Sequence, residues 1–237
     1  MRRMGQKKLI RFAELETFSN VLQYPEEMKG KWNRFFQQTA PITLELACGK
    51  GEYTVGMGRL FPGRNFLGVD LKGNRIWAGA RTALREGLTN VGFLRTQIDR
   101  IDTYFEKGEV SDIWLTFPDP QLRLSRARKR LTHPKFLRLY REFLSAESRI
   151  HLKTDSPVLF AFTLAVIELY QLKLVISTDD LYRDYPEDPV LGIKTHYEKL
   201  DIAGKQRVHY IQFQLDGDLP PSLDESLKNM LRERETD

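Results

Sequence analysis

The segment Leu44-Glu45-Leu46-Ala47-Cys48-Gly49-Lys50-Gly51-Glu52-Tyr53 constrains this chain more than any other. An apolar run over residues 42–47 stops at a turn with two glycines, and a helical pattern follows at once. Nineteen residues after Gly51 a second apolar run, 65–70, ends in Asp70. Strand, glycine turn, helix, strand and acid is the layout of a nucleotide-binding βαβ unit. Gly49 and Gly51 let the backbone approach a ligand with no Cβ in the way. An acid inside the first strand, Glu45, separates this turn from a dinucleotide site, which wants a helix N-terminus aimed at a pyrophosphate.

The alternation continues. Strands are expected at 42–47, 65–70, 91–95, 112–117 and 149–154, and helices at 52–60, 73–86, 134–145 and 156–170, after a short helix near 29–36. This order specifies an α/β fold with a parallel sheet and right-handed crossovers. Two last runs, 172–177 and 208–213, bracket a long loop and are expected to pair as an antiparallel edge. Ligands of such sheets bind at the carboxyl ends of the strands. Those ends carry the glycine turn, Asp70, Asp99, the turn Phe117-Pro118-Asp119-Pro120, the run Lys153-Thr154-Asp155 and, in the last loop, Thr195-His196-Tyr197-Glu198. Two prolines fix the backbone around Asp119.

A rim of acids suits a cofactor that is cationic and has no phosphate. S-adenosylmethionine presents an ammonium, a sulfonium and a ribose. Glu45 or Glu52 is expected to face the cationic end, Asp70 to accept from the ribose hydroxyls, and Asp99 to meet the adenine amino group. Cys48 reads as a small residue filling a tight turn.

The net charge of +5 is unevenly spread. Residues 216–237 hold seven acids and three bases, which leaves +9 on the rest. A basic body of this kind suits a polyanionic partner. Residues 1–13 hold five bases and no acid, and read as a free basic arm. Arg123, Arg126, Arg128, Lys129 and Arg130 follow the Asp119 turn directly and read as a phosphate-backbone contact. The expected division is a basic arm and short helix over 1–40, a catalytic domain over 41–215 and an acidic tail over 216–237. With one cysteine, no intramolecular disulfide forms. No apolar run approaches a membrane span, and no apolar signal segment follows the first residues, so a cytoplasmic protein is expected. His133, His151, His196 and His209 show no metal-ligand spacing, and no metal is expected.

Taken together, several segments resemble the bacterial tRNA (guanine-N7)-methyltransferase family. They are Leu44-Glu45 with Gly49-Lys50-Gly51, Gly68-Val69-Asp70, Phe117 to Pro120, Arg128 to Leu131 before Phe136, His151 to Asp155, and Thr195 to Glu198, in order from about residue 40 to 213. The resemblance implies a Rossmann-like class I methyltransferase. Its sheet has seven mostly parallel strands and an antiparallel edge hairpin, with helices on both faces. It further implies methylation of guanosine 46 in the tRNA variable loop. By position, Glu45, Asp70, Asp99 and Asp119 match the family's cofactor contacts. Arg123, Asp155 and Thr195 to Glu198 match its RNA and guanosine contacts. Many members continue the turn as Asp-Pro-Trp-Pro-Lys-x-Arg-His; this chain has Asp119-Pro120-Gln121-Leu122-Arg123, without the tryptophan or histidine and with arginine for lysine.

Guanine N7 already exposes a lone pair, so no proton must leave before it attacks a methyl. Catalysis is then expected to be positioning, with carboxylates that stabilise charge arriving on the purine and accept the N–H donors of its Watson–Crick edge. Asp119 is the expected catalytic group, with Asp155 and Glu198 beside it and Thr195 and Tyr197 bonding or stacking on the flipped-out base. The alternatives are a class I methyltransferase for another RNA, DNA or protein, and a non-catalytic RNA-binding relative. Monomer and homodimer both stay open.

Overall fold

The computed structural model describes residues 2–196, 198 and 207–236, with side chains for 8–196, 198 and 207–233. Among the described residues eight strands form one sheet. They are β1 (Val21–Gln23), β2 (Ile42–Leu46), β3 (Asn65–Asp70), β4 (Val91–Arg95), β5 (Val110–Thr116), β6 (Leu144–Thr154), β7 (Lys173–Thr178) and β8 (His209–Gln214). Their order is β1-β4-β3-β2-β5-β6-β8-β7. The pairs from β1 to β6 are parallel, and β8 runs antiparallel to both β6 and β7. The expected seven strands are present, and β1 adds an eighth at the edge. Three residues between turns are too short for alternation to show.

The helices are α1 (Arg2–Leu15), α2 (Trp32–Phe36), α3 (Glu52–Leu60), α4 (Gly73–Arg85), α5 (Pro134–Arg141), α6 (Pro157–Leu169), α7 (Leu181–Asp184) and α8 (Asp224–Thr236). The central strands β2, β3 and β4 are buried on both faces, as a parallel sheet covered on both sides requires. Neighbouring residues alternate sides. Leu67, Ile113, Leu115 and Ile211 join a core with Trp32, Phe136, Tyr140 and Phe162 of α2, α5 and α6. Phe66, Trp114 and Tyr210 join the opposite one, with Tyr53 and Met57 of α3 and Leu181 of α7. On that second side Trp114 stacks on His151 with ring centroids 4.0 Å apart, and His151 Nδ1 shares a 2.8 Å hydrogen bond with the Tyr210 hydroxyl.

Several boundaries differ from expectation. α5 stops at Arg141 because the chain turns into β6 five residues early, where the Phe143 carbonyl accepts from Val110 N at 3.2 Å. The long loop before β8 contains α7, capped by the Asp180 side chain. Residues 2–13 of the expected free arm lie within α1, whose C-terminal part docks on α4: Leu15 is buried, Trp77 donates to Glu14 at 2.7 Å, and the Arg11 guanidinium lies 4.6 Å over the Trp77 ring. Phe12 and Leu15, one turn apart, supply the apolar stripe that a count of charges hides. The acidic C-terminal segment is docked too. Leu219 and Leu227 are buried, and Asp224 accepts from both Arg138 and Tyr170.

Candidate active site

β2 leaves the sheet through Ala47, whose φ is +59°, followed by Gly49 at +58° and Gly51 at +72°. Ala47 stands where related turns carry a first glycine, and it adopts the left-handed conformation glycine would favour. A Cβ on Gly51 would lie 2.5 Å from Phe93 Cε1, whereas one on Gly49 would enter open space. Gly79 of α4 lets the Lys50 carbonyl pass where a Cβ would meet it at 2.6 Å. The turn is thus pressed onto α4 on one side and open on the other. At the end of β3 the Asp70 carboxylate accepts from Gly49 N at 3.0 Å and Lys72 N at 2.8 Å.

The open side of the turn faces a cavity of about 380 Å³. One wall is Ala47 to Lys50 with Glu52 and Asp70. The facing wall is Thr116 to Asp119 with Thr195 and His196. Gly49, Asp70, Asp119, Thr195 and His196 are thereby brought together as the sequence indicated. Lys50, Lys72 and Arg75 also line the cavity, so the pocket mixes three bases with its acids and is not uniformly acidic. A larger cleft of about 520 Å³, between α8 and the 3-10 turn Leu124–Lys129, carries none of the strand-end acids of the sheet.

Glu45 does not line the cavity. It lies beneath the turn, 1% exposed, with one carboxylate oxygen accepting from Thr54 N at 2.8 Å and from the Thr54 hydroxyl, and the other from the Thr116 hydroxyl. Of the two acids expected to face the cationic end, Glu52 lines the space and Glu45 ties α3 to β5. Burial pushes the Glu45 carboxyl up to about 7, against the pull of its hydroxyl donors. A carboxyl raised above its unfolded value of 4.5 binds its proton more tightly in the fold, so stability falls as pH rises from about 4.5 through 7. Glu45→Gln is expected to remove this loss, on the order of 3 kcal/mol. Urea titrations of both proteins at pH 5 and 7.5 check it; an unchanged difference between the two pH values would refute it. Cys48 is buried, and its thiol is pushed well above the ordinary range by desolvation and by Glu45 and Asp70. It fills the turn.

The Asp119 turn is held from several sides. Phe117 and Gln121 both have φ of +47° and bracket Pro118-Asp119-Pro120. Gln121 N donates to the exposed Asp119 carboxylate at 3.0 Å. Arg130, 3% exposed, donates to the carbonyls of Pro120 and Gln121, both at 3.1 Å, with its guanidinium 4.5 Å over Phe162. One member of the basic run therefore points inward and clamps the turn, while Arg123, Arg126, Arg128 and Lys129 stay exposed.

Other expected contacts lie apart from this cavity. Asp99 sits on a 3-10 turn after β4, exposed and ion-paired with Lys135. Arg123 and Asp155 are exposed and are not among the lining residues. Tyr197 falls outside the described residues. Glu198, expected against guanosine, is turned inward. Its side chain is 5% exposed and lies 3.1 Å from Lys153 Nζ, and it accepts from the Tyr182 hydroxyl and from Thr195 N at 2.8 Å. Arg130, expected with its run on the phosphate backbone, instead holds the Asp119 turn, and the roles of Lys153 and the three cavity bases are not read from the sequence, where only the strand-end position of Lys153 marks it. Among the described residues no three His, Cys, Asp or Glu side chains converge to hold a metal, and no helix is long and apolar enough to cross a membrane.

A doubly covered, mostly parallel sheet with a glycine turn, an acid at the end of β3 and a rigid acid turn after β5 is the architecture of a class I S-adenosylmethionine-dependent methyltransferase, and the comparisons with known proteins place the chain in that class. Residues 39–211 match a family model described as a putative methyltransferase. The chain is 47% identical over 221 residues to the tRNA (guanine-N(7)-)-methyltransferase of Bacteroides thetaiotaomicron, covering 90% of this chain and 87% of that one. It is 48% identical to the Porphyromonas gingivalis protein of the same name, over 85% of this chain and 86% of the relative. This chain belongs to the tRNA (guanine-N7)-methyltransferase family. Among solved structures, the 16S rRNA methyltransferase KamB superposes with a TM-score of 0.61 at 14% identity, over 82% of this chain and 97% of that one. A SAM-dependent methyltransferase from Aquifex aeolicus superposes at 0.51 and 13% identity, over 77% and 87%. Both likenesses are of fold.

Proposed function

We propose that this enzyme methylates N7 of guanosine 46 in the variable loop of tRNA, leaving 7-methylguanosine. The observation that carries the reading is the two-walled cavity: the glycine turn and Asp70 on one side, Asp119, Thr195 and His196 on the other. The family's sequence relatives bear the matching name. S-adenosylmethionine supplies an activated methyl group on a cationic sulfur.

The residues present suit that cofactor. Gly49 leaves room where a side chain would intrude, and Asp70, fixed by two backbone amides, offers oxygens to a ribose. Glu52 faces the cationic portion, and Lys50 or Arg75 is near enough to the turn to meet a carboxylate. Glu45 supports the turn from beneath. Asp99 completes the adenine end only once it parts from Lys135.

On the acceptor wall, Asp119 accepts from the N–H groups of guanine and stabilises the positive charge arriving on the ring. It need not remove a proton, because N7 carries none. Thr195 and His196 bound the space for the base. Arg123, Asp155 and the exposed bases after the Asp119 turn meet the RNA, with α1 and α4 adding further positive charge. Residues 41–215 are the catalytic domain, flanked by 1–40 and 216–237, and the enzyme works in the cytoplasm, where its substrate is.

The test is methyl transfer from radiolabelled S-adenosylmethionine to a tRNA transcript, followed by nucleoside analysis. The label is expected in 7-methylguanosine, and replacing guanosine 46 by adenosine is expected to abolish incorporation. Label in another nucleoside, or incorporation indifferent to position 46, contradicts the proposal.

A further inference from the structure

Lys153, near the C-terminal end of β6, is fully buried. A lysine is rarely buried without partners, and this one has a full set. Its ammonium donates to the carbonyls of Leu191 at 2.8 Å and Ile193 at 2.9 Å, and lies 3.1 Å from Glu198 Oε1. The rings of Tyr53, Phe117 and Tyr182 stand 5.3, 5.7 and 5.2 Å away. Nothing in the cofactor wall or the Asp119 turn requires a cation here.

Its connections run to both parts of the acceptor wall. The Lys153 carbonyl accepts from Phe117 N at 2.8 Å, where the Asp119 turn begins. The Lys153 ammonium fixes Glu198, whose carboxylate accepts from the amide of Thr195 at 2.8 Å and whose own N–H donates to Thr195 Oγ1 at 3.3 Å. The stretch leading to Thr195 is seated by the same side chain through Leu191 and Ile193. It is also seated by Tyr53, whose hydroxyl donates to Val190 O at 2.7 Å. One buried residue thus joins β6 to the Asp119 turn through its main chain and to the last loop through its ammonium.

We propose that Lys153 is a positioning residue of the methyl-transfer site: with Glu198 as its counterion, it sets Thr195 and His196 at a fixed distance from Asp119 across the acceptor wall. Glu198 then acts through the loop and does not touch guanine. Lys153 is not among the cavity-lining residues, so its effect is on where the base is held and not on the chemistry of a contact.

The proposal rests on the tRNA methylation proposed above, and the parent protein is assayed first. No transfer by the parent counts against that function; active parent protein makes the variants a test of Lys153 alone. Lys153→Met keeps the length of the side chain and removes the charge. The expected result is a folded protein with cofactor Kd within threefold of the parent, tRNA KM changed less than fivefold, and kcat lowered at least tenfold. Because this variant strands a buried carboxylate, Lys153→Met/Glu198→Gln is measured alongside it. The double variant is expected to unfold at a temperature near the parent's and still to show the kcat loss. A folded variant of either kind with kcat within tenfold of the parent overturns the proposal. So does a loss of cofactor affinity as large as the loss of kcat. Failure of both variants to fold also overturns it, since the pair would then serve stability alone.

Discussion

Asp119→Asn is expected to lower single-turnover methyl transfer by about 10²- to 10³-fold while cofactor affinity stays within about threefold. Asparagine preserves the volume of the side chain and the oxygen that accepts from Gln121 N, so the turn keeps its shape. It loses the negative charge opposite the purine, and its NH₂ group meets the N–H donors of guanine where an acceptor is needed. The carboxylate is exposed in the cavity, so the substitution is not a packing defect. Rapid-quench methylation of tRNA and calorimetry with the cofactor separate the two effects. A variant that transfers methyl at near the parent rate removes Asp119 from the reaction. One that loses cofactor binding to the same degree moves it to the cofactor wall.

The second large effect is expected at the glycine turn. Gly51 has a φ of +72°, and a Cβ there meets Phe93 at 2.5 Å. Gly51→Ala therefore combines the cost of a left-handed alanine, roughly 1–2 kcal/mol, with overpacking of about 1–3 kcal/mol against the ring. The turn relieves the clash by moving away from Phe93 of β4, and Gly49 N then leaves Asp70. A fall in stability of about 2–5 kcal/mol is expected by urea denaturation, with cofactor affinity down at least about 100-fold. Gly49→Ala separates the two causes. It shares the left-handed backbone but meets no atom, so it loses less stability, while its methyl still enters the cavity. Cofactor binding by Gly51→Ala within threefold of the parent would show that the turn tolerates displacement.

Much of this fold is legible in the chain because its signals are local. The runs at 65–70 and 91–95 match β3 and β4 to the residue, and the glycine turn sits where the first run breaks. The acids at 70 and 119 reach the site because strand direction carries them there. What escaped reading depends on partners distant in sequence. Glu45 looked like a ligand contact, but Thr116, 71 positions away, closes over it from β5. The run Arg123 to Arg130 reads as one phosphate-backbone contact, yet Phe162 of α6 gives Arg130 an inner surface to lie on. Glu198 reads as a guanosine contact, but Lys153, 45 residues earlier in the chain on β6, draws it inward. Basic residues 1–13 suggested a loose arm; Gly73 and Arg95, on other elements, supply the seat for Phe12 and Leu15.

The reversal of strand order between β2 and β5 divides the chain as well as the sheet. From β2, the strands built next, β3 and β4, lie to one side, and those built later, β5, β6, β8 and β7, lie to the other. The residues proposed to hold the methyl donor come mainly from the earlier part, and those proposed to present the base come from the later part. A lineage of such enzymes is therefore free to change its acceptor by divergence in its second half, without re-inventing the donor site.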